Sequence, residues 1–232
     1  MRRLAAALLA LVLSVAVGCG DDGGGDREEL LSAGEAEDAV ERASLDVDDL
    51  GEGWELAETI DPGDESSDAP IDACVERGVD DSMLAASPTR KFEHEGDALL
   101  DRTHVWMSTE ALDDEELAEE SAGRFADDDL AGCFGDLLLE AMGGESDVPI
   151  EAGEPRVTDD YLGLDGVRSS RLTLPFHAEV ADFELDAAVD VVVVSRGQLV
   201  SWIVSMQLGD DGGGEDIARW AGLLADRQRL DD

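Results

Sequence analysis

Hydrophobic and polar residues alternate most regularly in the last third of the chain. Residues 200–208 place an apolar side chain at every second position, and three of the four positions between are serine or glutamine, which is the two-residue period of a strand with two unlike faces. Residues 167–176 alternate in the same way, and 183–195 include a valine run, 191–194, that is apolar on both faces. We therefore predict three consecutive strands whose middle member is covered on both sides, with a tight hairpin turn at Arg196-Gly197.

Other segments have the three-to-four-residue period of amphipathic helices. Helix is predicted for residues 27–43, for a short turn within 45–54 that Gly51 ends, and for 110–142 with a break at 127–129. A last helix follows the glycine-rich link 210–214. It directs four apolar residues toward the sheet (Ile217, Trp220, Leu223 and Leu224) and three arginines outward (Arg219, Arg227 and Arg229).

Two further strands are predicted at 90–95 and 99–108, with Val105 and Met107 on one face of the second and His104 and Trp106 on the other. Helices and strands are thus segregated along the chain rather than alternating. This order predicts an α+β fold in which helices flank an antiparallel β-sheet and the C-terminal helix packs on that sheet.

The N-terminus has the pattern of a signal peptide. Two arginines precede an apolar run, residues 4–17, that is shorter than the roughly 20 residues needed to cross a bilayer. The residues Ala16-Val17-Gly18-Cys19 resemble a bacterial lipobox, which implies cleavage before Cys19 and a diacylglycerol thioether on its sulfur. Two or more acyl chains anchor a protein stably to a membrane. The alternative is an ordinary secretory signal in which Cys19 has no role.

The chain is accordingly divided into three parts. Residues 1–18 are the signal peptide, 19–26 are the lipidated cysteine with a flexible acidic tether, and 27–232 are a single α+β domain. The predicted location is the extracytoplasmic face of the cell membrane, with the lipid as anchor.

The net charge limits the partners of this domain. With 58 acidic and 16 basic residues, the formal charge is −42, so a polyanion such as DNA or RNA is excluded as a partner. The acidic residues are spread along the whole chain, which is typical of a solvating surface rather than of a local cation site. Lys91 is the only lysine.

The cysteines predict a disulfide. If Cys19 is lipidated, Cys74 and Cys133 remain as an even pair outside the cytoplasm, where disulfides persist. Cys133 lies on the inward stripe of the predicted helix 130–141, which suits a structural bridge to Cys74. Closing this loop of about 60 residues contributes on the order of 4 kcal/mol in the chain-entropy model. The alternative, a metal site at the two thiols, has no histidine at ligand spacing nearby, and no metal or other cofactor is predicted.

The sequence contains no motif of a known catalytic site. His94, His104 and His177 have no second ligand two or four residues away, and the sequence lacks His-Glu-x-x-His, Gly-x-Ser-x-Gly and Walker A patterns. Residues 132–135 resemble a nucleophile turn, but they lie within the apolar stripe of a predicted helix. No catalytic residue is assigned, and the chain is not predicted to be an enzyme.

One face of the last strand carries no charge, which is unusual in a chain this acidic. Its members occupy alternate positions: Leu199, Ser201, Ile203, Ser205 and Gln207. Two interpretations follow. A helix covers this face, such as the one predicted within residues 110–142, or part of the face lines a groove for a small apolar or lipid-like ligand, because pockets are mostly apolar with a few polar groups.

Three segments carry a resemblance to a known family: Leu45–Trp54, the cysteines at 74 and 133, and 189–208, a valine-rich strand, Arg-Gly turn and second strand. They resemble lipoproteins of high-GC Gram-positive bacteria related to the extracellular sensor domain of a mycobacterial receptor serine/threonine kinase. The resemblance implies an antiparallel sheet with flanking helices and a groove for a small or lipid-like ligand. That family's domain has two disulfides, whereas this chain can form one. The PsbP/Mog1-like lipoprotein fold is a competing resemblance, and no binding residue carries over.

These observations predict a membrane-anchored, extracytoplasmic lipoprotein that acts as a ligand-binding or sensory module. The alternative is a protein that binds an envelope protein or has a structural role in the envelope, with a hydrolase as the third interpretation.

Overall fold

A computed structural model describes residues 30–62, 82–95, 102–124, 130–136, 150–180, 183–208 and 214–229. The strands are β1 (Trp54–Ile60), β2 (Met83–Ala86), β3 (Thr89–Glu95), β4 (Arg102–Leu112), β5 (Ile150–Ala152), β6 (Arg156–Asp159), β7 (Arg168–Val180), β8 (Phe183–Arg196) and β9 (Leu199–Leu208). The helices are α1 (Ala33–Ala43), α2 (Val47–Leu50), α3 (Glu115–Arg124), α4 (residues 130–136) and α5 (Gly214–Arg227). None of the described helices has the length and apolar character of a membrane span.

The nine strands form one sheet in which every pair is antiparallel. The main order is β1-β3-β4-β9-β8-β7-β5, while β2 pairs with the end of β4 and β6 pairs with β7. The predicted α+β fold class is confirmed, with helices flanking the sheet and the C-terminal helix packed on it.

Helices cover the sheet on both faces. On the face that we call the α5 face, Val192, Val194 and Ile203 pack against α5. On the opposite face, called the α3 face, the neighbouring valines Val191 and Val193 pack with residues of α3 and α4. All four valines of the run are buried, so the prediction of a central strand covered on both sides is confirmed.

The apolar stripe of α5 packs the helix against the sheet. Ile217, Trp220 and Leu224 are fully buried and Leu223 is partly buried, as its period predicts. The predicted outward direction of Arg227 is wrong. Its guanidinium donates to the carbonyl of Ser44 (2.6 Å) and pairs with Asp49, so this arginine ties α5 to the chain around α2.

The first boundary of α3 differs from the prediction because the preceding strand is longer. Helix was expected from residue 110, but β4 continues to Leu112. Asp114 then caps α3, since its Oδ1 accepts hydrogen bonds from the backbone N–H of Glu116 (2.7 Å) and Leu117 (3.3 Å).

Helix α1 begins later than its predicted start at residue 27. Ser32 and Glu35 form a capping box, in which the Ser32 N–H donates to the Glu35 carboxylate (2.9 Å). The buried residues of α1 are Ala36, Ala39, Val40 and Ala43. They pack with Ala111 and Leu199 at one end of the sheet.

Four strands, β1, β2, β5 and β6, are absent from the sequence-based prediction. β1 is the first strand of the main order, and five of its seven residues are exposed. Such a strand does not have apolar residues on one face and polar residues on the other, so it cannot be predicted from their alternation. The alternation predicted within β4 is confirmed, because Val105 and Met107 are buried on the α5 face while His104 and Trp106 are directed to the other.

Candidate functional site

The five residues of the charge-free face of β9 are all buried: Leu199, Ser201, Ile203, Ser205 and Gln207. Leu199 packs with α1, and Ile203 packs beneath α5. Ser201 is held by hydrogen bonds with Thr109 Oγ1 (2.8 Å) and Gln228 Nε2 (2.9 Å). At the first three positions this face is therefore packed core and not a groove.

The helix that covers the face differs from the one expected. We predicted a helix from residues 110–142, but α3 lies on the opposite face, against Val193 and Val200. The covering helix is α5, because it follows β9 and returns across the strand with its own apolar stripe. The last residues of α5 lie over the hairpin end of the sheet, where Gln228 Nε2 donates to the Val194 carbonyl (3.2 Å).

The other two residues of the predicted face belong to a polar cluster on the α5 face. In the register of β7, β8 and β9, Thr173 pairs with Asp190 and Asp190 pairs with Ser205, so these three side chains are cross-strand neighbours. Gln207 Nε2 donates to Ser205 Oγ (3.3 Å). We call six residues the polar corner: Tyr161, Arg171, Thr173, Asp190, Ser205 and Gln207.

Asp190 is the centre of the polar corner and is only 2% exposed. Its Oδ1 accepts hydrogen bonds from Arg171 Nε (2.9 Å) and from Thr173 Oγ1, and Arg171 NH2 lies 2.9 Å from the same oxygen. No donor among the described residues bonds Oδ2. The Asp190 side chain as a whole is 3% exposed.

Arg171 is fixed from both sides. Its guanidinium lies 5.3 Å from the centre of the Tyr161 ring, and its NH1 donates to the Tyr161 hydroxyl (3.3 Å). Burial by itself lowers the pKa of Arg171, but the hydrogen bond and charge of Asp190 outweigh that effect and raise the pKa above its ordinary range. Arg171 is therefore a permanent cation that neutralises the charge of Asp190.

Tyr161 reaches Arg171 because the connection between β6 and β7 is tied to the start of β7. The Tyr161 N–H donates to the Ser169 carbonyl (3.2 Å), and the Leu162 N–H donates to Ser169 Oγ (2.9 Å). Both side chains are partly buried against the α5-face core. This connection borders the polar corner on the β7 side.

A second row of residues lies beside the corner, one step further from the hairpin turn. Register pairs join it across five strands: Pro175, Ala188, Gln207, Thr103 and His94. We call these residues the outer row. All except Gln207 are half-buried, and the first four carry no charge. Beyond it, His177 Nδ1 and Asp186 Oδ1 lie 2.8 Å apart and both side chains are about half exposed. The exposed fraction of the side chains therefore increases along β8 from Asp190 through Ala188 to Asp186.

α5 packs mainly on β8 and β9 and contacts α1 and α2, and Trp220 meets Trp54 of β1 edge to face with 5.2 Å between ring centres. The helix thus extends from the β8–β9 hairpin toward the β1 side of the sheet. Asp190 and Ser205 of the polar corner lie two residues beyond Val192 and Ile203, which α5 covers.

The histidines are not grouped into a catalytic or metal site. His94 is packed between the Trp54 ring (5.3 Å between centres) and Gly53, whose φ is +86° and whose Cα approaches so closely that an added Cβ would be 2.8 Å from His94 Nε2. His104 lies on the α3 face, 3.3 Å from Glu93. Within the described ranges, no three His, Cys, Asp or Glu side chains form a group suited to a metal.

Sequence reasoning missed the central residues of the corner. Arg171 and Asp190 are 19 positions apart, and only the β7–β8 register brings them together. One signal was present, because Asp190 directly precedes the run of four valines in a strand that the pattern assigns to the core. A lone carboxylate in such a strand requires a partner, and Arg171 in the neighbouring strand is that partner.

Of the three cysteines to which the sequence assigns a role, the structure describes one. Cys19 and Cys74 lie outside the described residues, and Cys133 is half-buried in α4 next to the buried Phe134. The lipid anchor and the Cys74–Cys133 pairing therefore stay predictions, as does the signal peptide.

Comparison with known proteins gives similarity among solved structures only. No known protein-family model matches the chain, and no curated protein sequence matches it. Among solved structures, the chain is similar to the extracellular domain of PknH from Mycobacterium tuberculosis, with 10% sequence identity and a TM-score of 0.48. The similarity covers 84% of this chain and 97% of that domain. It concerns the fold alone, and no functional conclusion rests on it.

Proposed function

We propose that this chain is an extracytoplasmic ligand-binding module whose binding site is the polar corner with the outer row. The observation that carries the proposal is Asp190, a carboxylate buried in the middle of the sheet whose Oδ1 takes all the described donors, while no described donor bonds Oδ2. The acceptor capacity of Oδ2 is therefore left for a further donor. The uncharged floor beside it suits a small ligand.

A pair of neighbouring alanines provides the test. Ala188 and Ala187 are both half-buried in β8, but Ala188 belongs to the outer row whereas Ala187 packs on the α3 face. We expect Ala188→Trp to abolish binding of fragments found by a ligand-observed NMR screen of the secreted domain. Ala187→Trp should retain it, because the indole then lies on the opposite face.

Thermal unfolding of both variants serves as the control for folding. Equal fragment binding by the two tryptophan variants would contradict a site at the outer row. A screen in which no fragment shifts the amide resonances of residues 188 and 190 in the wild-type protein would overturn the proposal without any variant.

The same proposal includes attachment to the membrane through Cys19 and a Cys74–Cys133 disulfide. The lipobox supports the first, and the even pair of cysteines that remains once Cys19 is lipidated supports the second. Cys19→Ser should release the protein from the membrane fraction and change its mass by the lost acyl groups. Peptide mapping without reductant should recover residues 74 and 133 in one linked fragment, whereas free thiols at both positions would refute the bridge.

A second candidate function, association with an envelope protein, rests on β1. This strand ends the main sheet order, most of its residues are exposed, and Leu56 is 50% exposed. An edge strand of this kind can accept a strand from a partner. If β1 is used in this way, Leu56→Lys should remove a partner that cross-links to the wild-type protein on cells and leave fragment binding at Ala188 unchanged.

A further inference from the structure

We infer that the polar corner selects a neutral ligand that presents a hydroxyl or N–H donor next to an apolar surface. This inference rests on the proposed function and specifies its ligand class. It follows from two properties of the corner: the hydrogen-bonding groups that already have partners, and the charges that already compensate each other.

The donors of the corner are directed at one oxygen. Arg171 Nε, Arg171 NH2 and Thr173 Oγ1 all approach Asp190 Oδ1, and the Thr173 hydroxyl proton is used in that bond. A carboxylate only accepts hydrogen bonds. The open capacity at Asp190 is therefore acceptance at Oδ2, and a ligand satisfies it only by donating a proton.

The charges of the corner exclude an ionic ligand. Arg171 and Asp190 form a pair that is neutral as a whole and nearly buried, with 21% and 3% of the side chains exposed. A cation at Oδ2 would lie near the Arg171 guanidinium, and an anion would lie near the Asp190 carboxylate in a chain with a formal charge of −42. In either case a third charge would lose its hydration next to a pair that has no net charge to compensate it.

The residues next to Oδ2 supply the apolar part of the site. Ala188 and Pro175 are cross-strand partners in the outer row, one step from Asp190 and Thr173 on the same face. A ligand that donates to Asp190 can lay an aliphatic segment on these two side chains. The His177–Asp186 pair limits the apolar surface on its outer side.

Four probes with the same six-carbon chain test the inference. Hexanamide is neutral with a donor, N,N-dimethylhexanamide is neutral without one, hexylammonium is a cation, and hexanoate is an anion. Titrations followed by the amide resonances of residues 188 and 190 give the affinities. We expect hexanamide to bind about tenfold more tightly than each of the other three, as for the loss of one buried hydrogen bond.

Asp190→Asn adds a second measurement. The asparagine oxygen can still accept from Arg171 and Thr173, which places the Nδ2 donor where Oδ2 was. The preference for hexanamide over N,N-dimethylhexanamide should then fall from about tenfold to less than threefold. The unfolding temperature of the variant shows whether it folds, and the wild-type ratios test the inference even if it does not.

The outcomes separate this inference from the proposed function. If an ion or the donor-free amide binds at least as tightly as hexanamide and Ala188→Trp abolishes that binding, the ligand class is wrong while the site stands. If none of the four probes shifts residues 188 and 190, the inference is overturned, and the fragment screen alone decides the proposed function.

Discussion

The α5 face of the sheet has two halves built on the same strands, and different kinds of side chain are buried in each. Toward the hairpin turn, Val192, Val194 and Ile203 pack beneath α5, and the polar residue beside them, Ser201, is uncharged and hydrogen-bonded to Gln228. Two residues further along, Asp190 and Ser205 are buried to the same extent. The apolar half gains stability from every contact, whereas the polar half has to offset the desolvation of a carboxylate and a guanidinium.

This difference indicates which half of the face is the better candidate for a functional site. Replacing a buried ion pair with packed apolar residues is often neutral or stabilising, and the apolar half shows that these strands accept valine and isoleucine readily. A polar corner beside such a core therefore contributes little to stability that apolar residues would not supply. This agrees with the proposal that the polar corner is a binding site.

The largest expected effect tests the apolar half. Trp220 is fully buried at the centre of the α5-face core, so Trp220→Ala should lower the free energy of unfolding by about 3–5 kcal/mol through lost burial and the cavity left behind. Urea denaturation measures this. A loss below about 1 kcal/mol would show that α5 is not the main cover of this face.

The next effect tests the polar half by a double-mutant cycle. Asp190→Ala should cost about 3 kcal/mol, because it leaves the Arg171 guanidinium partly buried and unpaired. The double variant Asp190→Leu with Arg171→Met should unfold within about 1 kcal/mol of the wild-type value. If the double variant is as unstable as Asp190→Ala, the pair stabilises the fold directly, and the contrast between the halves disappears.

A buried polar residue outside the corner provides a reference. Gln198 is buried in the hairpin turn, where its Oε1 accepts from the Leu31 N–H and its Nε2 donates to the Leu112 carbonyl, both at 2.7 Å. Gln198→Ala should lower the free energy of unfolding by about 1–3 kcal/mol, because it leaves buried groups unsatisfied. Fragment binding should not change, and a loss of binding would show that the corner is not the site.

The smallest effect concerns an exposed polar pair. Hydrogen bonds from the Ser32 side chain and backbone lower the pKa of Glu35, so its stabilising contribution is complete above the ordinary glutamate pKa of about 4.3 and is lost as the pH falls through the lowered value. Glu35→Gln should flatten this acidic part of the stability curve slightly, as followed by circular dichroism. A curve that is steeper for the variant would contradict the sign.

The part of the fold that could be predicted is the part with a strong period. The strand β9, the buried valines of β8 and the stripe of α5 are each predicted from neighbouring residues, and each is confirmed. β1 and β2 could not be predicted in this way. Their residues are mostly exposed or half-buried, so the alternation of side chains leaves little trace in the sequence.

The candidate site was predicted in part, for a related reason. Leu199, Ser201 and Ile203 are core, whereas Ser205 and Gln207 are buried next to Asp190, and their role in binding stays a prediction. Which part of the face α5 covers depends on the path of that helix, and the partners Arg171 and Tyr161 depend on the β7 register and on the turn before it. Neither can be read from a local pattern.

The bond between Gln198 and Leu31 also fixes where the N-terminal segment enters the fold. Leu31 lies near the start of the described chain, and Gln198 holds it at the hairpin turn. Asp190, Ser205 and Gln207 of the polar corner are seven to nine residues from Gln198 along β8 and β9, a distance of roughly 20–30 Å. If Cys19 carries the anchor, as we propose, a chain that leads from the membrane to this entry point does not have to cross the corner.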